Sequence, residues 1–130
     1  LSSALILFAH GARDPAWAAP FHALRAALLA IQPSRRIELA FLELMEPGLP
    51  DQVALMAGQG CHEIVVVPVF LGRGGHLRRD LPVLLDQARA RAPSVVLHAS
   101  LAVGELPTVI AAMASAILTA VDQPGPQDFP

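Results

Sequence analysis

His10 and His76 stand at matching places in this sequence. His10 follows the apolar run Ala4-Leu5-Ile6-Leu7-Phe8-Ala9 and opens His10-Gly11-Ala12-Arg13-Asp14-Pro15. His76 follows a second run, Ile64 to Leu71, in Gly72-Arg73-Gly74-Gly75-His76-Leu77-Arg78-Arg79-Asp80. A third run, Ile37 to Leu42, ends at Glu43. Each run reads as a buried strand, which puts each histidine in a glycine-bearing loop just beyond a strand end. In an open parallel α/β sheet that is the edge where ligands bind. Two imidazoles and a carboxylate at three strand ends can hold a divalent metal with positions left open, or move protons. Co²⁺, Ni²⁺, Fe²⁺ and Zn²⁺ all accept such ligands. Glu46 competes with Glu43. Glu43 follows its strand directly and is expected to face the cleft, whereas Glu46 before Pro47 suits a helix entry. A phosphoryl-accepting histidine of the Arg-His-Gly kind is a weak reading, because Ala9 holds the arginine's place. Gly72, Gly74 and Gly75 are expected to permit close backbone approach and positive φ. Their spacing matches neither a P-loop nor a dinucleotide fingerprint.

The elements that must position these groups alternate regularly. Strand one is expected over about Ala4 to Ala9. Asp14-Pro15 reads as N-cap and first helical residue, and a helix runs to about Ile31 with Phe21, Leu24, Leu28 and Ile31 on one face. Pro20 predicts a kink or a late start. Strand two covers about Ile37 to Leu42, and Glu43 to Pro50 is a loop. A helix from about Asp51 to Gln59 is stopped by Gly60. Strand three, Ile64 to Leu71, carries Pro68, which argues that its last part lies at an opening in the sheet. A helix from about Arg79 to Arg91, entered through Leu81-Pro82, precedes strand four at about Ser94 to Ala99. A last helix begins at Gly104-Glu105-Leu106-Pro107 and ends near Val121. The pattern is βαβαβαβα. It predicts an α/β fold: a four-stranded parallel sheet with helices on both faces. Residues 1–121 form one domain. The tail, Asp122 to Pro130, holds three prolines and is expected to be disordered or loosely docked.

Composition narrows the classes. A chain of 130 residues is one domain of ordinary size. Its 54% hydrophobic and 15% charged content suits strands covered on both faces, with a surface patch left for a partner. A net charge of −2 argues against a nucleic-acid binder. No apolar stretch reaches the roughly 18–20 residues that span a bilayer, and the start, Leu1 to Ala9, is short for a signal peptide and lacks a basic region. The expected location is cytoplasmic, in keeping with the lone Cys61. All nine cationic side chains are arginine, which removes lysine Schiff-base and P-loop chemistry. Arg13, Arg73, Arg78 and Arg79 fall beside the histidine loops and suit carboxylate or phosphate. A solvated face accounts for the other five. His22 and His62 read as structural, as does Cys61 beside His62. His98, Trp17, Met45 and Ser100 could border the cleft but need no such role.

Three segments together carry a resemblance: Leu-Phe-Ala-His-Gly-Ala-Arg-Asp-Pro, Ala-Phe-Leu-Glu-Leu-Met-Glu-Pro, and Val-Val-Val-Pro-Val-Phe-Leu-Gly-Arg-Gly-Gly-His-Leu-Arg-Arg-Asp-Leu-Pro. In this order the chain resembles the short sirohydrochlorin chelatases, the CbiX/SirB type of the class II chelatase superfamily, from about Leu5 to Leu118. The resemblance implies a chelatase-like half unit that inserts Co²⁺ or Fe²⁺ into sirohydrochlorin, for cobalamin or sirohaem. It implies no permanently bound cofactor, the metal (Co²⁺, Fe²⁺ or Ni²⁺) being a substrate. It maps the metal-site and catalytic roles onto His10, His76 and Glu43. The macrocycle is a polycarboxylate, so Arg13, Arg73 and Arg78 with the backbone of Gly74 and Gly75 are its expected binders. Short members pair, so a homodimer is implied. Val69 and Gly72-Arg73 are mild variants of the family's loop. Two other readings stay open: a non-catalytic protein that binds or delivers the metal or tetrapyrrole, and a half-chelatase that acts only with another chain.

Overall fold

A computed structural model describes residues 3–72 and 74–123. Its four strands are β1 (Ala4–Ala9), β2 (Ile37–Phe41), β3 (Glu63–Pro68) and β4 (Val96–Ala99). They form one parallel sheet in the order β2-β1-β3-β4. The helices are α1 (Ala19–Ile31), α2 (Leu49–Gly58), α3 (Gly75–Arg91) and α4 (Pro107–Asp122), with short 3₁₀ turns at Pro15–Ala18 and Val103–Glu105. The expected four-stranded parallel α/β architecture is present, and β1, buried at five of its six positions, is its centre.

Alternation along the strands divides the core. Ile6, Phe8, Ile64, Val66 and Leu97 meet Val53 and Met56 of α2 and Leu77, Leu81 and Leu85 of α3 on one face. Leu7, Ala9, Leu39 and Phe41 meet Phe21, Leu24 and Leu28 of α1 on the other. Ile31 departs from the expected apolar face. It is the last residue of α1, before the turn at Pro33, and stands 76% exposed.

Three boundaries differ from expectation for physical reasons. Pro20 produces a late start: a 3₁₀ turn capped by the Asp14 carboxylate accepting from the Ala16 N–H at 2.9 Å precedes α1. β3 stops at Pro68 rather than Leu71. Only the Val69 N–H follows the ladder further, donating to the Phe8 carbonyl at 2.8 Å. α3 starts at Gly75, not Arg79, with Gly74 as N-cap and Pro82 inside it. Its buried period, Leu77, Leu81, Leu85 and Ala88, begins before the proline, and burial of that stripe decides the start. His76 is therefore a helical residue and not a loop residue.

Half of the second face is bare. α1 lies over β1 and β2, while on β3 and β4 the same face carries Val65, Val67, Val96 and His98, with Val96 and His98 exposed. α4 buries none of its residues, and Ile110, Ile117, Leu118 and Val121 each stand more than half exposed. The expected tail lies, from Pro124 on, outside the described residues.

Candidate active site

The backbone ladder sets the first two groups side by side. Beyond β1 and β2, Leu42 N–H donates to Ala9 O at 2.9 Å and Glu43 N–H to His10 O at 3.1 Å. The two loops stay paired for one residue past each strand. Gly11 then turns at φ +95°, and its α-carbon lies so near Glu43 that a Cβ would meet the Glu43 carbonyl oxygen at 1.8 Å. Leu44 takes a positive φ of 65°, with Met45 N–H donating to Glu43 O at 2.8 Å. A left-handed leucine is uncommon, and here it ends the strand sharply so that the chain returns to the β2 edge, where Phe41 N–H donates to Pro47 O at 2.9 Å.

Side chains follow from that frame. His10 Nε2 lies 2.9 Å from Glu43 Oε1. The His10 ring is edge-on to His76, with centroids 5.7 Å apart, and 6.2 Å from Phe70. His76, on the first turn of α3, lies 2.6 Å through Nε2 from Asp80 Oδ2. The structure thus brings together His10, Glu43 and His76 as expected, and adds Phe70 and Asp80. The signals for these two are an aromatic just past a strand and a His-x-x-x-Asp spacing on a helix. The four polar side chains are 41–51% exposed, so the cluster is open to solvent. Among the described residues no three His, Cys, Asp or Glu converge as a ready metal cage. The polar groups stand as two histidine–carboxylate pairs.

The glycine loop is different from its expected form. Gly74 has φ −70°, and a Cβ at Gly72, Gly74 or Gly75 would meet nothing within 4 Å. Close approach belongs instead to Gly11 and to Gly104, whose Cβ would lie 2.1 Å from Leu71 O. Gly74 and Gly75 open α3, so the first N–H groups of that helix face outward without intrahelical partners, a setting for anionic groups.

The arginines divide sharply. Arg25 donates to Ile37 O at 2.6 Å, Arg35 to Gln32 and Ser3, Arg36 to Glu38 and Gln59, Arg89 to Leu97 O at 2.9 Å, and Arg91 to Asp51. These five are structural, not merely solvated as the sequence suggested. Arg13, Arg78 and Arg79 are exposed, and their side chains make no hydrogen bond or ion pair with another described residue. Arg73 lies outside the described residues. Arg13 borders a cleft of about 590 Å³ with His22, Met45 and Glu46, beside the paired loops. A larger cleft, about 850 Å³, opens at the opposite, amino ends of the strands, lined by Ser3, Arg36 and His62. The histidine pair is in neither lining, and the chemistry follows the side chains rather than the larger void. His98 pairs in register with Val65, short of the strand ends, 3.7 Å from Glu63. Trp17 stacks on Phe21 at 4.6 Å as packing.

Known proteins resemble this chain in sequence and fold. The CbiX family model matches residues 4–120. The chain is 35% identical over 82 residues to a sirohydrochlorin cobaltochelatase of Methanopyrus kandleri, and 37% over 87 residues to one of Methanocaldococcus jannaschii. Each match covers 63% of this chain and 57% of the relative. The matched chain therefore spans less than two thirds of those relatives' length. A solved structure described as a CbiX protein of cobalamin (vitamin B12) biosynthesis, from Marinobacter aquaeolei VT8, superposes with a TM-score of 0.81 at 30% identity, over 94% of this chain and 99% of that one. The sirohydrochlorin chelatase SirB of Bacillus subtilis, in complex with cobalt, gives 0.73 at 25% identity, over 92% of this chain and 51% of that one.

Proposed function

Because the chain belongs to the CbiX family, we propose that it is a sirohydrochlorin chelatase, a lyase inserting Co²⁺, or alternatively Fe²⁺, into the macrocycle for cobalamin or sirohaem synthesis. The observation that carries this reading is the meeting of His10, Glu43 and His76 at the carboxyl edge of the sheet, with His10 and Glu43 2.9 Å apart and the imidazoles edge-on at 5.7 Å.

Metallation replaces two pyrrolic N–H protons by one M²⁺, so two protons leave for each metal that enters. His10 and His76 offer nitrogen to the ion or to those protons. Glu43 offsets positive charge and passes a proton outward from His10. The metal is a substrate, in transit, and an open pair of imidazoles leaves positions for the macrocycle nitrogens. The peripheral carboxylates meet Arg13 and Arg78, the unpartnered N–H groups at Gly74 and Gly75, and Arg73.

A second copy of this chain completes the reading. The β4 side of the sheet, with Val96 exposed, and the unburied α4 leave two apolar surfaces open on one molecule. A 16-residue helix is about 24 Å long, enough to lie across the strands. Exchange of α4 between two copies covers both surfaces. Solved SirB, about half of which this chain matches, is long enough for two such units. A cytoplasmic location belongs to the same reading, with Cys61 free; no described helix is long and apolar enough to cross a membrane.

An anaerobic absorbance assay with sirohydrochlorin and Co²⁺ or Fe²⁺ tests the activity. The expected result is acceleration over the spontaneous rate, lost in His10→Ala and His76→Ala. Near-normal rates in both variants overturn the mechanism. Tight binding of metal or macrocycle without turnover assigns a carrier instead.

A further inference from the structure

Asp80 lies four residues after His76 on α3, one turn along the same face. Its Oδ2 is 2.6 Å from His76 Nε2. A carboxylate only accepts, so the imidazole donates its Nε2–H and keeps the lone pair on Nδ1. His10 stands in the same relation to Glu43, Nε2 to Oε1 at 2.9 Å. Both rings thus turn the same nitrogen to a carboxylate and leave the other free. The two pairs meet at the edge-on contact of the imidazoles.

His76 needs such an anchor more than His10 does. His10 is held by the backbone bond from Glu43 N–H to its carbonyl and by the neighbouring Phe70 ring. His76 is about half exposed on the first turn of a helix, and among the described residues its ring has the edge of His10 and the Asp80 carboxylate as its aromatic and ionic partners. A side chain so placed exchanges between staggered rotamers unless a partner selects one. The carboxylate that accepts from a histidine's second nitrogen fixes tautomer and ring direction at many metal sites.

Building on the chelatase reading, we propose that Asp80 is the positioning residue of His76 for metal capture, the counterpart of Glu43 for His10. An ordinary helix-surface pair would add only slight stability and leave function untouched, so the two roles separate by experiment.

Co²⁺ affinity, read by competition with a chromophoric chelator, and the kcat and KM of metallation are measured for wild type, Asp80→Ala, Asp80→Asn, His76→Ala and the Asp80→Ala/His76→Ala pair. Asp86→Ala, removing an exposed acid on the same helix, is the control. Asp80→Ala is expected to lose about 10–100-fold in Co²⁺ affinity and in kcat, with the macrocycle KM unchanged. Asp80→Asn, whose amide oxygen still accepts the Nε2–H, recovers most of that. Added to His76→Ala, the Asp80 change costs nothing further in affinity, because its route runs through the ring already removed. Asp80→Ala within twofold of wild type overturns the proposal. So does an equal loss with His76 absent, or an Asn variant as poor as Ala. If His76→Ala itself turns over normally, the chelatase role of His76 fails, while the affinity cycle still reports whether Asp80 and His76 act together.

Discussion

Replacing Gly11 by alanine strikes the scaffold under the site without touching a reacting group. The new Cβ would lie 1.8 Å from the Glu43 carbonyl oxygen, where ordinary contact starts at 3.4 Å. The loops must part by well over an ångström, yet they are tied immediately before the clash by the Leu42–Ala9 and Glu43–His10 backbone bonds. Strain of an L-residue at φ +95° adds about 1–2 kcal/mol. Overfilling a packed contact adds about 1–3 kcal/mol. Together the loss is about 2–5 kcal/mol, a fall in Tm of roughly 10 °C or more for a chain of this size. The same displacement moves Glu43 from His10, and a misplacement of about 1 Å lowers turnover on the order of a hundredfold. Thermal unfolding and Co²⁺ affinity of Gly11→Ala are the assays. Gly58→Ala is the paired control, with nothing within 4 Å of its Cβ and a position at the end of α2, so it should be neutral or stabilising by up to about 1 kcal/mol. A Gly11→Ala protein with the Tm and metal affinity of wild type would refute the account of how these loops are held.

Other expectations follow from the same structure. Arg13→Ala should raise the macrocycle KM about ten- to hundredfold with kcat retained, as loss of one charge-assisted bond of roughly 1.5–3 kcal/mol implies; steady-state kinetics check it, and loss of turnover at saturation would contradict a binding role. Ile117→Asp, on the bare stripe of α4, should convert a dimer to a monomer in sedimentation with the circular dichroism of one copy unchanged; a wild-type protein that sediments as a monomer at all concentrations would remove the exchange of α4. Gly104→Ala, whose Cβ would meet Leu71 backbone at 2.1 Å, should destabilise by about 1–3 kcal/mol in denaturant titration, and an unchanged midpoint would show the turn free to shift.

Sheet and helix order were legible because the strands are short apolar runs, β1 buried at five of its six positions, and helical stripes such as Leu77, Leu81 and Leu85 repeat at the helical period. The meeting of His10 and Glu43 was legible too, since both follow directly on adjacent strands. The start of α3 was not. Pro82 reads as a helix opening from the sequence, and only burial of Leu77 beneath the sheet shows that the helix begins earlier. That one shift moved His76 from loop to helix and brought Asp80 into range of it. Glycine roles were likewise hidden. The sequence favours the glycine-rich Gly72–Gly75 segment, but a close approach depends on what lies opposite, and among the described glycines only Gly11 and Gly104 face a backbone.

The arginines give the last step. In a chain without lysine, abundance alone says little about which cations serve a ligand. Bonding sorts them. Five hold carbonyls or carboxylates of the fold, among them Ile37 O at the β2 edge and Leu97 O of β4. The uncommitted ones, Arg13, Arg78 and Arg79, come from the β1–α1 loop and the first turn of α3, the two segments that also carry His10 and His76. Holding unpaired like charges near one edge is unfavourable in the empty protein. It becomes favourable when a polyanion arrives, because each guanidinium then gains a bidentate partner. A flat ligand with carboxylates on its rim and nitrogens at its centre answers both halves of this edge at once: the rim to the arginines, the centre to the imidazoles. A bare metal ion answers only the imidazoles and their carboxylates. On the proposed chelatase reading, metal capture is therefore expected to be strongest when the macrocycle is also present.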